Sequence, residues 1–351
     1  MIRHGAVARA LAILLVGGAM TPVRADTPPS RWDRARDPVV GEAWDLHVRA
    51  REFMAPIRLE HDRDPGESEM LRMRELRLHE ARTELESGHA AASPDVRLRF
   101  DLGQVYEELG HHQRAIDVLE AALAMDPDHP AAADAWIELA FANARLDRSR
   151  GELDAYDAYL TRTPDGAGRA TALLNRAEAE MRLGNLDDAV LGYRDAIDTC
   201  DSGSMLEDLF ETGVLARWGL SVALDRSGDA TGAAREALLA SQLDPAEQII
   251  DSKKMCGLSL CIFFVPDYER DWYLGLGRAE HAKQESDPRK AALIWKRTEE
   301  KWADYVSRAD PKDRWLPLAK AHLVATQKRR VAAEKRSGPL RLVPSGERLI
   351  E

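Results

Sequence analysis

Gly110, Asp147, Gly184 and Gly228 stand 37, 37 and 44 residues apart, and the residues around them recur with them. Alanine follows five residues after three of the four, at Ala115, Ala189 and Ala233, with Glu152 at the remaining place. A period of this size commits the middle of the chain to a stack of similar units, each burying its apolar face only against its neighbours. Composition makes those units helical. Ala, Leu, Arg, Glu and Asp recur throughout, with 44% hydrophobic and 31% charged residues. A chain of 351 residues is long for one small domain and comfortable for one elongated array.

The clearest unit, from Val96 to Pro130, carries Leu102-Gly103, Tyr106, Gly110, Ala115, Leu119, Ala122-Leu123 and Pro127. This resembles the tetratricopeptide repeat motif nearly residue for residue, except that Arg99 stands at the leading aromatic position. Three weaker copies follow. The second has Trp136, Leu139, Ala140, Tyr156 and Pro164; the third Gly184, Ala189, Tyr193 and Ala196, with Asp201 in place of the closing proline; the fourth Leu220, Gly228, Ala233, Ala240 and Pro245. The resemblance implies an all-α solenoid of antiparallel helix pairs, a superhelix whose two helices per unit join near the internal glycine. Small residues such as Gly103 and Ala115 then let the helices approach, and Pro127 ends the unit. Asp147 and Glu152 depart from the pattern and put the packing of the second unit in question. The longer last interval reads as an insertion at Cys200–Asp208, which stacking tolerates as a loop.

Repeats of this family bind partners in the groove formed by their first helices. Mapped onto this chain, the groove row is Phe100, Ile137, Leu174 and Trp218, with Gln104, Phe141 and Glu178 on the same helices. Arg145, Arg182 and Arg226 lie near the helix ends, while Glu108 takes that place in the first unit. An apolar row beside an arginine row suits an acidic, amphipathic peptide. The plain alternative is that the same residues pack neighbouring helices and form ordinary ion pairs.

Flanking segments extend the array. Residues 40–95 read as an N-terminal helical pair: Trp44, Val48, Phe53 and Ile57 mark one helix, and Met70, Leu71, Leu76, Ala81 and Leu85 a second, with turn chemistry at Asp62–Gly66. The four repeats occupy 96–245. Residues 246–268 break the pattern with the apolar run Leu258–Val265, a strand, hairpin or plug. Cys256 and Cys261 there either bridge across a turn at Gly257 or stand as two thiols in an apolar patch. Residues 269–336 hold a degenerate fifth unit (Trp272, Tyr273, Leu276-Gly277, Ala291, Trp295, Trp302, Tyr305) and an Arg- and Lys-rich capping helix from Trp315 to about Ala333. Residues 26–39 read as a mobile lead-in and 337–351 as a flexible tail.

Residues 1–25 have the form of a secretory signal peptide: Arg3, His4 and Arg9, an apolar stretch from Ala10 to Met20, and small residues before a cleavage site after Ala25. Eleven helical residues reach about 16 Å, short of a hydrocarbon core of roughly 30 Å. The mature chain is therefore expected in the periplasm or secreted, with no membrane span; the alternative is an uncleaved anchor that tethers it to the envelope. Its formal charge falls from −11 to −14 with the loss of three arginines and no acids, which disfavours nucleic acid as a partner. No phosphate-binding glycine loop, zinc-protease helix or serine elbow occurs. Gly275-Leu276-Gly277 reads as repeat packing rather than a dinucleotide site, and His111-His112 as solvated turn residues, so neither metal nor cofactor is expected. The sequence thus points to an exported scaffold or adaptor that binds protein or peptide and is not an enzyme. The alternative is an accessory or catalytic component of cell-envelope polymer metabolism.

Overall fold

The computed structural model describes residues 38–55, 67–164, 168–202, 207–251 and 266–337. The chain divides into two compact units, Met1–Trp44 and Asp45–Glu351. In the first, only 38–44 are described, the opening turns of α1 (Pro38–Met54). The second holds the rest of α1, then α2 (Glu67–Ser87), α3 (Val96–Glu108), α4 (His112–Met125), α5 (Ala132–Arg145), α6 (Ser149–Arg162) and α7 (Arg169–Leu183). It continues with α8 (Leu186–Ser202), α9 (Glu207–Ser227), α10 (Ala230–Leu243), the single turn α11 (Gln248–Asp251), α12 (Arg270–Gln284), α13 (Pro288–Arg308) and α14 (Leu316–Ser337). No strand occurs among the described residues, and the fold is an all-α solenoid of successive helix pairs.

The turn residues show why the period exists. Gly110, Gly184 and Gly228 have φ of 76°, 88° and 95°, and Asp147 adopts φ 54° at the same place. Each ends the first helix of its pair in the same way. The amide of the following residue reaches back to the fifth carbonyl before it: His111 to Tyr106 at 2.8 Å, Arg148 to Asn143 at 2.9 Å, Asn185 to Glu180 at 2.9 Å and Asp229 to Leu224 at 2.9 Å. This closure requires a left-handed residue, for which glycine is cheapest and a short polar side chain next.

Side-chain size then sets the spacing of each pair. Ala115, Ala189 and Ala233 are buried, as is Glu152 at the equivalent place. A β-carbon on Gly103 would come within 2.4 Å of Leu119, and one on Gly192 within 2.9 Å of that of Ala177. The first helices also stack on one another, α3 on α5, α7 on α9 and α9 on α12. The glycine pair on α12 is packing: a β-carbon on Gly275 would meet the Trp302 ring at 2.7 Å, and one on Gly277 the Trp218 ring at 2.6 Å. Around them, Trp272 sits edge-on to Trp302 (5.4 Å) and Tyr305 (5.0 Å), ring pairings that add about 0.5–1.5 kcal/mol each beyond burial.

Four features differ from the sequence expectation or fall outside the described residues. Cys200–Asp208 is not simply a loop, because α8 continues to Ser202 and α9 begins at Glu207, so the longer interval is taken up mainly by longer helices. The break after Pro245 begins with the turn α11, whose Ile249 and Ile250 amides bond to the Asp244 carboxylate at 3.1 and 3.0 Å. Cys256, Cys261 and the run Leu258–Val265 lie outside the described residues, as do the signal peptide, most of the lead-in and the tail from 338 on. The last helix is more than a polar cap. It packs along α13, and together with the segment leading into it reaches back to α7 and α9: Arg314 before the helix donates to the Leu183 carbonyl (2.9 Å), and His322 Nε2 on the helix meets Asp225 (2.8 Å).

Candidate partner-binding site

The expected apolar row is interior. Leu174 and Trp218 are fully enclosed, Phe100 and Ile137 retain 7% and 9% exposure, and Phe141 is buried with them. Trp218 lies where its helix meets α12, against Gly277, and Phe100 lies against the His129 ring at 5.7 Å. A partner would have to part the helices to reach Leu174 or Trp218, so these residues hold the stack together and form no surface row.

The three arginines also differ from the expected row. Arg145 stands exposed at the end of α5. Arg182 is turned onto Glu152, to which it donates from Nη2. Arg226, its side chain only 2% exposed, donates to Glu269 at 2.6 Å and lies over the rings of Trp272 (4.4 Å) and Trp315 (5.1 Å). The guanidinium groups of Arg182 and Arg226 are thus spent within the fold.

Together these residues form a ladder of buried polar groups. Glu152 from α6 meets Arg182 on α7, and the buried Glu178 lies beside that arginine one turn back. Tyr156, Tyr193 and Tyr273 surround Glu178, and burial pushes all three phenols well above their ordinary range. Next come Arg226 and Glu269, the latter 3.4 Å from the oxygen of Tyr305, whose hydroxyl donates to Asp313 (2.7 Å). Asp225 beside them accepts from Trp272 Nε1 (3.0 Å) and meets His322, stacked on Trp302 at 4.5 Å. Burial raises the Glu152 carboxyl to about 7 against the pull of Arg182. That is a value suited to acid–base chemistry, but Glu152 is fully enclosed and tied to Arg182, and no substrate reaches it in this arrangement. The ladder is built to bind helices to each other.

The first helices keep polar surface at the N-terminal end of the repeats. Gln104 accepts from Arg51 (2.9 Å) and donates to Glu108 (3.2 Å), and Arg74 clasps the same Glu108 at 2.6 Å. His47 and Arg51 both approach Asp101. On α5, Glu138 keeps part of its surface exposed, yet its carboxyl is held well above the usual carboxylate range by burial and by the crowding of Glu107, Glu108 and Asp134, with Arg51 opposing. Sequence reasoning did not single out Arg51 or Glu138; the latter stands one residue after the mapped Ile137 and faces the neighbouring first helix. Among the described residues there is no group of three or more His, Cys, Asp or Glu placed to hold a metal, and no helix long and apolar enough to cross a membrane.

Comparison with known proteins supports the repeat reading where it is strongest. The tetratricopeptide repeat family profile matches residues 71–130 and 100–167, so the signal begins within α2, upstream of the Val96 start read from the motif. No curated protein matches the chain. Among solved structures, a tetratricopeptide repeat protein from Parabacteroides merdae is similar at 17% identity, covering 82% of this chain and 99% of its own, with a TM-score of 0.42. The MamA protein is similar at 15% identity, covering 61% and 95%, with a TM-score of 0.40. The tetratricopeptide repeat domain of P58(IPK) is similar at 13% identity, covering 88% and 72%, with a TM-score of 0.34.

Proposed function

We propose that this chain is an exported scaffold that binds a protein or peptide through its first two repeats, by association and not by catalysis. One observation carries the reading. At α7 and α9 the first-helix ends are occupied by the chain itself, through Arg314, Trp315 and His322, whereas Gln104, Glu138 and Arg145 on α3 and α5 retain solvent exposure. An acidic peptide laid along the arginines would find Arg182 and Arg226 already paired with Glu152 and Glu269. Glu138, crowded by Asp134 and by Glu108, the last already held by Arg74, makes this end acidic and favours a segment bearing lysine or arginine.

Site-specific photo-cross-linking tests the assignment. A photoreactive residue is placed at Gln104, at Glu138 or, as a control, at Leu239 on α10, and adducts formed in a native extract are identified by mass spectrometry. The reading expects the same adduct at 104 and 138 and none at 239; the reverse distribution sinks it. Export is tested separately by the intact mass of the protein recovered from its source, which on this proposal begins at Asp26.

A further inference from the structure

Two exposed helix faces on this chain are built on one spacing with opposite charge. On α14 the residues Lys320, Val324, Lys328, Val331 and Lys335 are all exposed, with Val324 at 49% and Val331 at 40%. On α8 the residues Asp187, Leu191, Asp195, Asp198 and Ser202 are exposed too, with Leu191 at 56%. Both sets run in steps of four, four, three and four residues, so each forms a stripe about 80° wide along its helix. Opposite faces of both helices are buried. Ala189, Tyr193, Ala196 and Ile197 anchor α8, and Ala319, Thr326 and Ala333 anchor α14. None of Asp187, Asp195, Asp198, Lys320, Lys328 and Lys335 takes part in an ion pair among the described residues.

The charge is unevenly distributed at larger scale as well. All ten lysines lie at residue 253 or beyond, while residues 95–202 hold 22 acidic and 11 basic side chains. We infer that copies of this chain associate, with the α8 stripe of one molecule laid along the α14 stripe of another. Both stripes are exposed within a single molecule, so they do not meet inside one chain. A lipid surface or polyanion would use the lysines alone and leave the acidic stripe with no role; a second copy uses both. In the contact, Leu191 meets the valines and the aspartates flank the lysines, as the edge charges of a coiled-coil seam do. One helix-on-helix contact lies at the small end of specific interfaces, under about 1,200 Å², so the association is weak and salt-sensitive. The contact is heterologous: a two-fold arrangement doubles it, and open repetition lengthens the assembly. This goes beyond the partner-binding reading and uses α8 and α14 instead of α3 and α5, so either can fail alone.

Sedimentation velocity on the full chain tests it, at low salt and again with added salt. One variant carries Lys320→Glu, Lys328→Glu and Lys335→Glu, and a second carries Asp187→Lys, Asp195→Lys and Asp198→Lys; circular dichroism checks that both keep the helical fold. The wild-type chain should associate at low salt and come apart as salt rises. Each variant alone should sediment as a monomer, and an equal mixture of the two should associate again, because the remaining aspartate stripe of one meets the remaining lysine stripe of the other. A wild-type chain that stays monomeric at low salt overturns the inference, as does a variant that still self-associates or a mixture that does not. Flotation with anionic phospholipid vesicles supplies the competing outcome: lysine-dependent vesicle binding by a monomeric chain assigns the α14 face to membrane and refutes self-association.

Discussion

Replacing Glu152 by glutamine should change how the stability of this protein depends on pH. The carboxyl has a folded pKa of about 7 against an ordinary 4.5, so the folded state holds its proton more tightly than the unfolded chain does. A raised value of this kind stabilises fully below about pH 4.5, and the contribution is lost as pH rises through 7. Between pH 5 and pH 8 the loss comes to about 2.5 kcal/mol for one fully enclosed group. Glutamine keeps the shape and an oxygen to accept from Arg182, and Arg182 keeps Glu178 beside it, so no buried charge is abandoned. The wild-type chain should therefore lose about 2.5 kcal/mol more than Glu152→Gln between the two pH values, and the variant should be at least as stable at pH 8. Urea denaturation followed by circular dichroism gives the comparison. Hydrogen exchange of α6 and α7 amides reports the same quantity locally should the array unfold in stages. Parallel pH curves would refute the reasoning, as would a variant less stable than wild type by more than about 2 kcal/mol at pH 8, since the ion pair would then outweigh the cost of its burial.

Two further substitutions probe the C-terminal half. Arg226→Met should cost about 3–5 kcal/mol by leaving Glu269 enclosed without its cation, and adding Glu269→Gln should recover most of the loss, measured by urea denaturation of both variants. Gly277→Leu should cost about 1–3 kcal/mol and alter tryptophan fluorescence, because its side chain enters the space held by the Trp218 ring; unchanged stability would show that α12 does not press on α9 there.

The fold was legible because its period rests on backbone demands that only a few residues meet. A left-handed turn selects glycine, and Gly110, Gly184 and Gly228 announce themselves; Asp147 is found by counting between them. Close helix approach likewise selects Ala115, Ala189 and Ala233. α2 escaped the motif reading because it bears no such marks. Its buried Leu78, Ala81 and Leu85 give ordinary helical spacing, and only the family profile joins it to the repeats. At the long interval, helix on both sides extends into the stretch read as an insertion, to Ser202 and from Glu207, because the length of a helix is set by the packing of its face and not marked by any single residue.

The site was less legible for a related reason. A periodic residue can be placed by counting, whereas the fate of an arginine depends on what stands opposite it. Arg182 and Arg226 fall at the same place in successive units, yet their partners Glu152 and Glu269 lie 30 and 43 residues away, on elements that do not repeat each other. Glu152 itself was read as a fault in an alanine position, and the fault has a complement. Burying a carboxylate at the tightest point of a helix pair is tolerable only with a cation held against it, and Arg182 reaches across from the next helix to supply one. Glu178, on the same helix as Arg182 and at a place where other units carry Gln104, Phe141 and Val222, is a second departure joined to the first through the same guanidinium. Departures from the period in this chain therefore come coupled. In an array where packing fixes every repeated position, such coupled exceptions are where polar chemistry can be built, and here they tie α6, α7, α9 and α12 together.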